Sequence, residues 1–121
     1  MSDSLYMSCC QIAGIYLRRE VWESASFAQV VEGVRWGKVS KAVYVVLDVR
    51  NRVAYVGSVD RLSESGLAGR LYQHSRLRGR AHWYAVRIVP LRDGTPRSKV
   101  VELEGTIGRR LRPYDNQRLP L

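Results

Sequence analysis

Residues 42–57 read Ala-Val-Tyr-Val-Val-Leu-Asp-Val-Arg-Asn-Arg-Val-Ala-Tyr-Val-Gly. From Ala42 to Asp48 the side chains are β-branched or apolar almost without interruption, the pattern of a largely buried strand. Arg50, Asn51 and Arg52 predict a tight turn, and Val53 to Val56 a returning strand that Gly57 and Ser58 end. The segment therefore reads as a β-hairpin with one tyrosine on each strand, Tyr44 and Tyr55.

Towards the C-terminus, Gly66 to Arg78 predicts a helix with Leu67, Leu71 and His74 along one side and Gly79 at its end. Residues 82–91 predict a third strand, in which Val86 and Ile88 alternate with Arg87. A turn at 93–96 precedes a second helix from about Ser98 to Leu111, whose Val100, Leu103, Ile107 and Leu111 recur at helical spacing. Pro113 stops it. Towards the N-terminus, residues 12–18 suit a short strand. Ser24 or Ser26 suits the cap of a helix over 25–35, with Phe27, Val30, Val31 and Val34 as its stripe. The expectation is an α/β (α+β) fold with a small three-stranded sheet in β-β-α-β-α order, flanked by helices. An N-terminal extension, residues 1–40, would pack on a domain of residues 41–121.

The 121 residues allow one modest core, and 45% apolar side chains is normal for a globular chain. No apolar run approaches the roughly 18 residues of a membrane span. The opening Met-Ser-Asp-Ser has no secretory pattern, so a cytoplasmic, intracellular location is expected. Cys9 and Cys10 are neighbours and read as reduced thiols. The net charge of +9 is uneven: residues 1–60 hold seven basic and six acidic side chains, and residues 61–121 thirteen and five. Seventeen of the twenty basic residues are Arg, whose planar fork matches phosphate oxygens. A polyanionic partner is the natural inference, beside the plainer one of a solvated basic surface.

Tyr44 and Tyr55 on the hairpin, Arg70 and His74 one turn apart on the following helix, Glu104 on the last helix and Asn116 three residues after Pro113 form an ordered set. Over about residues 41–120 this resembles the GIY-YIG nuclease family, in which two tyrosine-bearing strands precede an Arg-x-x-x-His-type helix, a Glu-bearing helix and a Pro-x-x-Asn tail. Ala42 stands where the family has its first glycine, and the stretch from Gly57 to Arg70 is longer than in compact members. The literal string Gly14-Ile15-Tyr16 is separated from Tyr55 by a whole predicted helix and does not belong to this hairpin.

The resemblance implies a metal-dependent endonuclease that hydrolyses phosphodiester bonds in DNA, RNA not being excluded. It makes Glu104 the ligand of Mg²⁺ (or Mn²⁺), a cation for which one carboxylate and several waters suffice. Tyr44 is then the general base, its phenol lowered by nearby arginines. Arg70 clamps the scissile phosphate, His74 bonds Tyr44 or shuttles its proton, and Tyr55 orients water or phosphate. Asn116 ties the tail to the site, where Gly57 is structural. Glu102 competes with Glu104 but points further from the apolar face. Arg76, Arg78 and Arg80, with Arg109 and Arg110, suit the nucleic-acid backbone. Since no separate DNA-binding module is evident, specificity is expected from the extension, the basic surface, a homodimer or a partner protein. Each residue also has a plain reading: core tyrosines, an exposed Arg/His helix face, surface Glu–Arg pairs. A nucleic-acid-binding protein with little or no cleavage is the alternative.

Overall fold

The computed structural model describes residues 1–36, 39–60, 66–76 and 81–116. In chain order the elements are α1 (Asp3–Ala13), β1 (Ala25–Ser26), α2 (Phe27–Val31), β2 (Lys41–Leu47), β3 (Val53–Asp60), α3 (Gly66–Ser75), β4 (Ala85–Pro90) and α4 (Arg97–Leu111). The fold is α+β, with helices on both faces of an antiparallel sheet.

β2 and β3 form the hairpin, with Val45 opposite Val56 and Tyr44 opposite Gly57. Its turn is closed by Asp48, whose Oδ1 accepts from the backbone N–H of Arg50 (3.0 Å) and of Arg52 (2.9 Å). Asn51 takes the left-handed conformation (φ +64°), which its short polar side chain tolerates. β3 continues to Asp60, four residues past its expected end. Gly57 does not break it.

β4 pairs with the other side of β2, and β1 adds to β4 through Ala25–Val86 and Ser26–Ala85. The sheet is thus four-stranded in the order β1-β4-β2-β3, where the sequence predicted three strands. Two residues are too few for strand periodicity to register, so β1 was invisible. The order leaves β3 at an edge.

Because β2 is central, both its faces are covered. Val43, Val45 and Leu47 pack with Val56 and Val89 against α1 and α4. Ala42, Tyr44 and Val46 pack with Tyr55, Val59 and Ile88 against Val30 of α2, Leu67 and Leu71 of α3, and Trp83. Removing each such aliphatic side chain from water contributes about 1.5–3 kcal/mol before entropy is counted.

The first forty residues differ most from expectation. Ser2 caps α1 by accepting from the Leu5 N–H, and Tyr6, Cys9, Cys10 and Ala13 form its buried stripe. The strand predicted over 12–18 is absent: Gly14 (φ +56°) ends α1, and a 3₁₀ turn spans Gly14–Tyr16. Leu17 makes a single bridge to Leu91. α2 is shorter than the helix predicted over 25–35. Ser26 and Gln29 make a reciprocal capping box, but the helix stops at Val31 and leaves Val34 exposed. Arg87 is buried in β4. It donates to the Trp22 carbonyl (2.6 Å) and to Asp3 (3.3 Å), and its guanidinium lies 4.3 Å from the Tyr6 ring centre. It thereby ties the N-terminal segment to the sheet. Both cysteines are free and buried, and burial above all pushes the Cys9 thiol up to about 11. Among the described residues no helix is long and apolar enough to cross a membrane.

Candidate active site at the edge strand

Tyr44 points from β2 towards α3, and its cross-strand neighbour is Gly57. A Cβ on Gly57 would lie 2.5 Å from the Tyr44 hydroxyl oxygen and 2.8 Å from Cε1 of Tyr55. No side chain fits there, so glycine is required by the two tyrosine rings above it. Those rings are 6.3 Å apart, and Tyr55 lies 5.1 Å from the His74 ring and 5.0 Å from Trp83. The Tyr44 hydroxyl is 3.3 Å from Nε2 of His74, and the Arg70 guanidinium is near enough to favour the ionised form of the same hydroxyl. The structure thus brings Tyr44, Tyr55, Arg70 and His74 together, as one turn of α3 over the hairpin.

Both tyrosines are fully buried. Burial pushes the Tyr44 phenol well above its ordinary value, the neighbouring Tyr55 adds to this, and Arg70 opposes it without prevailing. The net direction is opposite to the one the excess of arginine suggested. Desolvation of a fully buried phenolate outweighs one guanidinium.

Glu104 approaches from the other side of the sheet. Because β3 is an edge strand, α3 on one face and α4 on the other can both reach past it. Arg70 and Glu104 line one concavity of about 400 Å³, with Ser58 and Asp60 of β3 as part of its wall. Arg97 joins them. It precedes Glu104 by seven residues and so shares its helix face, a spacing readable in the sequence but overlooked. Asp60 was missed because β3 was expected to end at Val56; it faces Lys41 at 3.7 Å. Glu102 points outward and pairs with Lys99 at 3.2 Å.

The donor set suits a hydrated divalent ion. Glu104 offers one partly exposed carboxylate in an open concavity with Asp60 on the same wall. Magnesium keeps most of its waters and needs few protein oxygens. Among the described residues no three His, Cys, Asp or Glu side chains cluster, so they form no closed cage of the structural zinc kind.

Asn116 locks the tail onto β3. Its Oδ1 accepts from the Val56 N–H (2.9 Å) and its Nδ2 donates to the Val56 carbonyl (2.8 Å), so one side chain acts as a strand partner beside Gly57. Asp115, which the sequence reading passed over, is buried and accepts from Trp83 Nε1 (2.8 Å) and His82 Nε2. Arg76 is exposed and donates to the Tyr72 hydroxyl (3.1 Å). Arg109 and Arg110 are exposed on the last turns of α4. Arg109 lines a second concavity with Glu104, Gly105, Gly108 and Asn116. Arg78 and Arg80, like the predicted helix end at Gly79, lie outside the described residues. The sheet does not explain the glycines of α4. A Cβ on Gly108 would meet nothing within 4 Å, and one on Gly105 only the end of the Arg109 side chain at 3.4 Å.

Comparison of the chain with protein-family models, with curated proteins and with solved structures finds no match.

Proposed function

We propose that this protein is a GIY-YIG-type, metal-dependent endonuclease acting on DNA. One observation carries the reading: Arg70 and Glu104, from helices on opposite faces of the sheet, line a single concavity beside the edge strand. A phosphodiester placed there meets a planar guanidinium suited to its two non-bridging oxygens. Glu104 is the residue that would hold Mg²⁺ or Mn²⁺, and a bound ion supplies charge stabilisation and an acidified water. Arg97 adds a second cation on the α4 side.

The burial of Tyr44 changes the role it is given. A phenol desolvated in this way holds its proton at neutral pH, so Tyr44 is assigned to positioning: with His74 behind it, its hydroxyl fixes the Arg70 guanidinium. Tyr55 and Gly57 hold that hydroxyl in place by packing.

The complete burial of both tyrosines also favours the second reading, a nucleic-acid-binding protein of this fold with little cleavage. Nicking of supercoiled plasmid in Mg²⁺ or Mn²⁺ separates the two. The wild type is expected to nick. Glu104→Ala is expected to lose at least about 100-fold, the scale on which a group stabilising transition-state charge is felt. Equal and undetectable nicking by both proteins, with DNA binding retained, would establish the second reading instead.

A further inference from the structure

The concavity at the edge-strand site is one of three that share walls. Glu104 lines the first and the second, and Tyr114 lines the second and a third of about 650 Å³ at the hairpin turn. Arginines line the path: Arg70 and Arg97 at its start, Arg109 and Arg112 in the middle, Arg50 and Arg52 at its end. The third concavity differs from the others in being aromatic. Tyr84 is 58% exposed, yet its backbone is fixed on both sides: its N–H donates to the Leu47 carbonyl (2.9 Å) and its carbonyl accepts from Phe27 (2.7 Å). Beside it, the His82 and Tyr114 rings stack at 5.8 Å with 25° between their planes. Each is held from below by a buried carboxylate, His82 by Asp115 and Tyr114 by Asp48 (2.9 Å).

Orienting two partly exposed rings with buried carboxylates is not needed for the core, which lies on the two faces of the sheet. From this we infer that the Tyr84–His82–Tyr114 concavity is a stacking platform for an unpaired nucleobase, and that the groove leading to it carries a single nucleic-acid strand away from Glu104. Paired bases in a duplex have their faces covered, so a π platform selects unstacked ones, while the arginines follow the phosphates. Both carboxylates are buried, Asp48 paired with Arg52 (2.9 Å) and Asp115 hydrogen-bonded by His82 and Trp83, so neither faces the strand. The inference rests on the nucleic-acid reading above and makes the substrate one with a single-stranded arm.

The test is binding of fluorescein-labelled oligodeoxythymidylate, followed by anisotropy in EDTA so that cleavage plays no part. Tyr84→Ala is expected to weaken binding by about 10-fold or more, the scale of one lost base–aromatic stack. Tyr84→Trp, which keeps a π face, is expected to stay near the wild type. A blunt duplex of equal length is expected to lose much less with Tyr84→Ala. If Tyr84→Ala binds the single strand as the wild type does, or the duplex loses as much, the platform is wrong. Plasmid nicking by the wild type is scored separately. A nuclease without Tyr84-dependent strand binding overturns the platform alone, and Tyr84-dependent binding without metal-dependent nicking overturns the nuclease alone.

Discussion

At the scale of single residues, Gly57 is the most constrained position near the site. Adding one methyl there places carbon at 2.5 Å from the Tyr44 hydroxyl oxygen and 2.6 Å from its Cζ, and the ring is enclosed on all sides. Gly57→Ala is expected to destabilise the fold by about 1–3 kcal/mol, the usual cost of overpacking a filled core. Urea unfolding measures this, and an unchanged midpoint would show that the rings can move. Tyr44→Phe asks a different question, since it keeps the packing and removes only the hydroxyl between Arg70 and His74. Under the proposed nuclease function, in which the phenol positions a guanidinium and does not itself lose a proton, cleavage is expected to fall while its pH profile keeps its shape. A changed profile would return Tyr44 to the role of base. The residues of this group were legible from their types and order. Two properties were not. The requirement for glycine depends on the cross-strand register of Tyr44 with Gly57, and the direction of the Tyr44 shift depends on burial, which a strand sequence alone does not state.

At the scale of elements, the tail and the last helix carry the sharpest consequences. The edge strand would leave the Val56 N–H and carbonyl without a strand partner, and Asn116 satisfies both. Asn116→Ala is expected to cost about 1–3 kcal/mol, the penalty for polar groups left unpaired. Asn116→Asp keeps an acceptor for the N–H but sets a carboxylate oxygen against the Val56 carbonyl. It should therefore destabilise at neutral pH and recover part of the loss when protonated. Wild-type stability in both variants at all pH values would mean that the bonds to Val56 do not matter. Gly108 gives an effect of the opposite sign. Nothing lies within 4 Å of its missing Cβ, so Gly108→Ala should stabilise α4 by about 1 kcal/mol. If the groove over α4 receives a nucleic-acid backbone, the same change weakens binding. Thermal melts and anisotropy on one protein sample decide both, and weaker stability would mean that the helix is crowded there after all. The hairpin, α3, β4 and α4 were readable because each presents several apolar residues at one period. β1 has two residues and no period. In α1 the buried positions 6, 9, 10 and 13 do have helical spacing. The apolar run beginning at Ile12 drew attention to the wrong element, a strand across the Gly14 break.

At the scale of the whole molecule, charge and pH come together. The proposed binding of nucleic acid through the arginines of a chain of net charge +9 predicts an affinity that falls steeply as salt rises, because phosphate contacts release counterions. Its stability should fall with pH at a definable place, the junction of hairpin and tail. Burial pushes the Asp48 carboxyl up. The Arg52 backbone N–H, the Tyr114 hydroxyl and the Arg52 guanidinium outweigh that and hold it down at about 2. An unfolded aspartate titrates near 3.9. The contribution of Asp48 is therefore fully present above about pH 4 and is lost as the pH falls towards 2, where the folded carboxyl takes its proton too. Its partner behaves in the mirror sense. Burial and the bond to Asp48 raise the Tyr114 phenol to about 12, against about 10 in an unfolded chain. That contribution is present below pH 10 and is lost as the pH rises towards 12. Asp48→Asn removes the titrating carboxylate and its part of the Tyr114 shift, the part due to burial remaining, while its amide oxygen can still accept from the Arg50 and Arg52 N–H groups. In urea unfolding at stepped pH, the wild type should be the more stable at neutral pH, and its advantage over Asp48→Asn should shrink between pH 4 and 2. An advantage that stays constant across that window would mean that the Asp48 proton is not linked to folding, and that the hairpin–tail junction is held by packing of the Tyr114 ring instead.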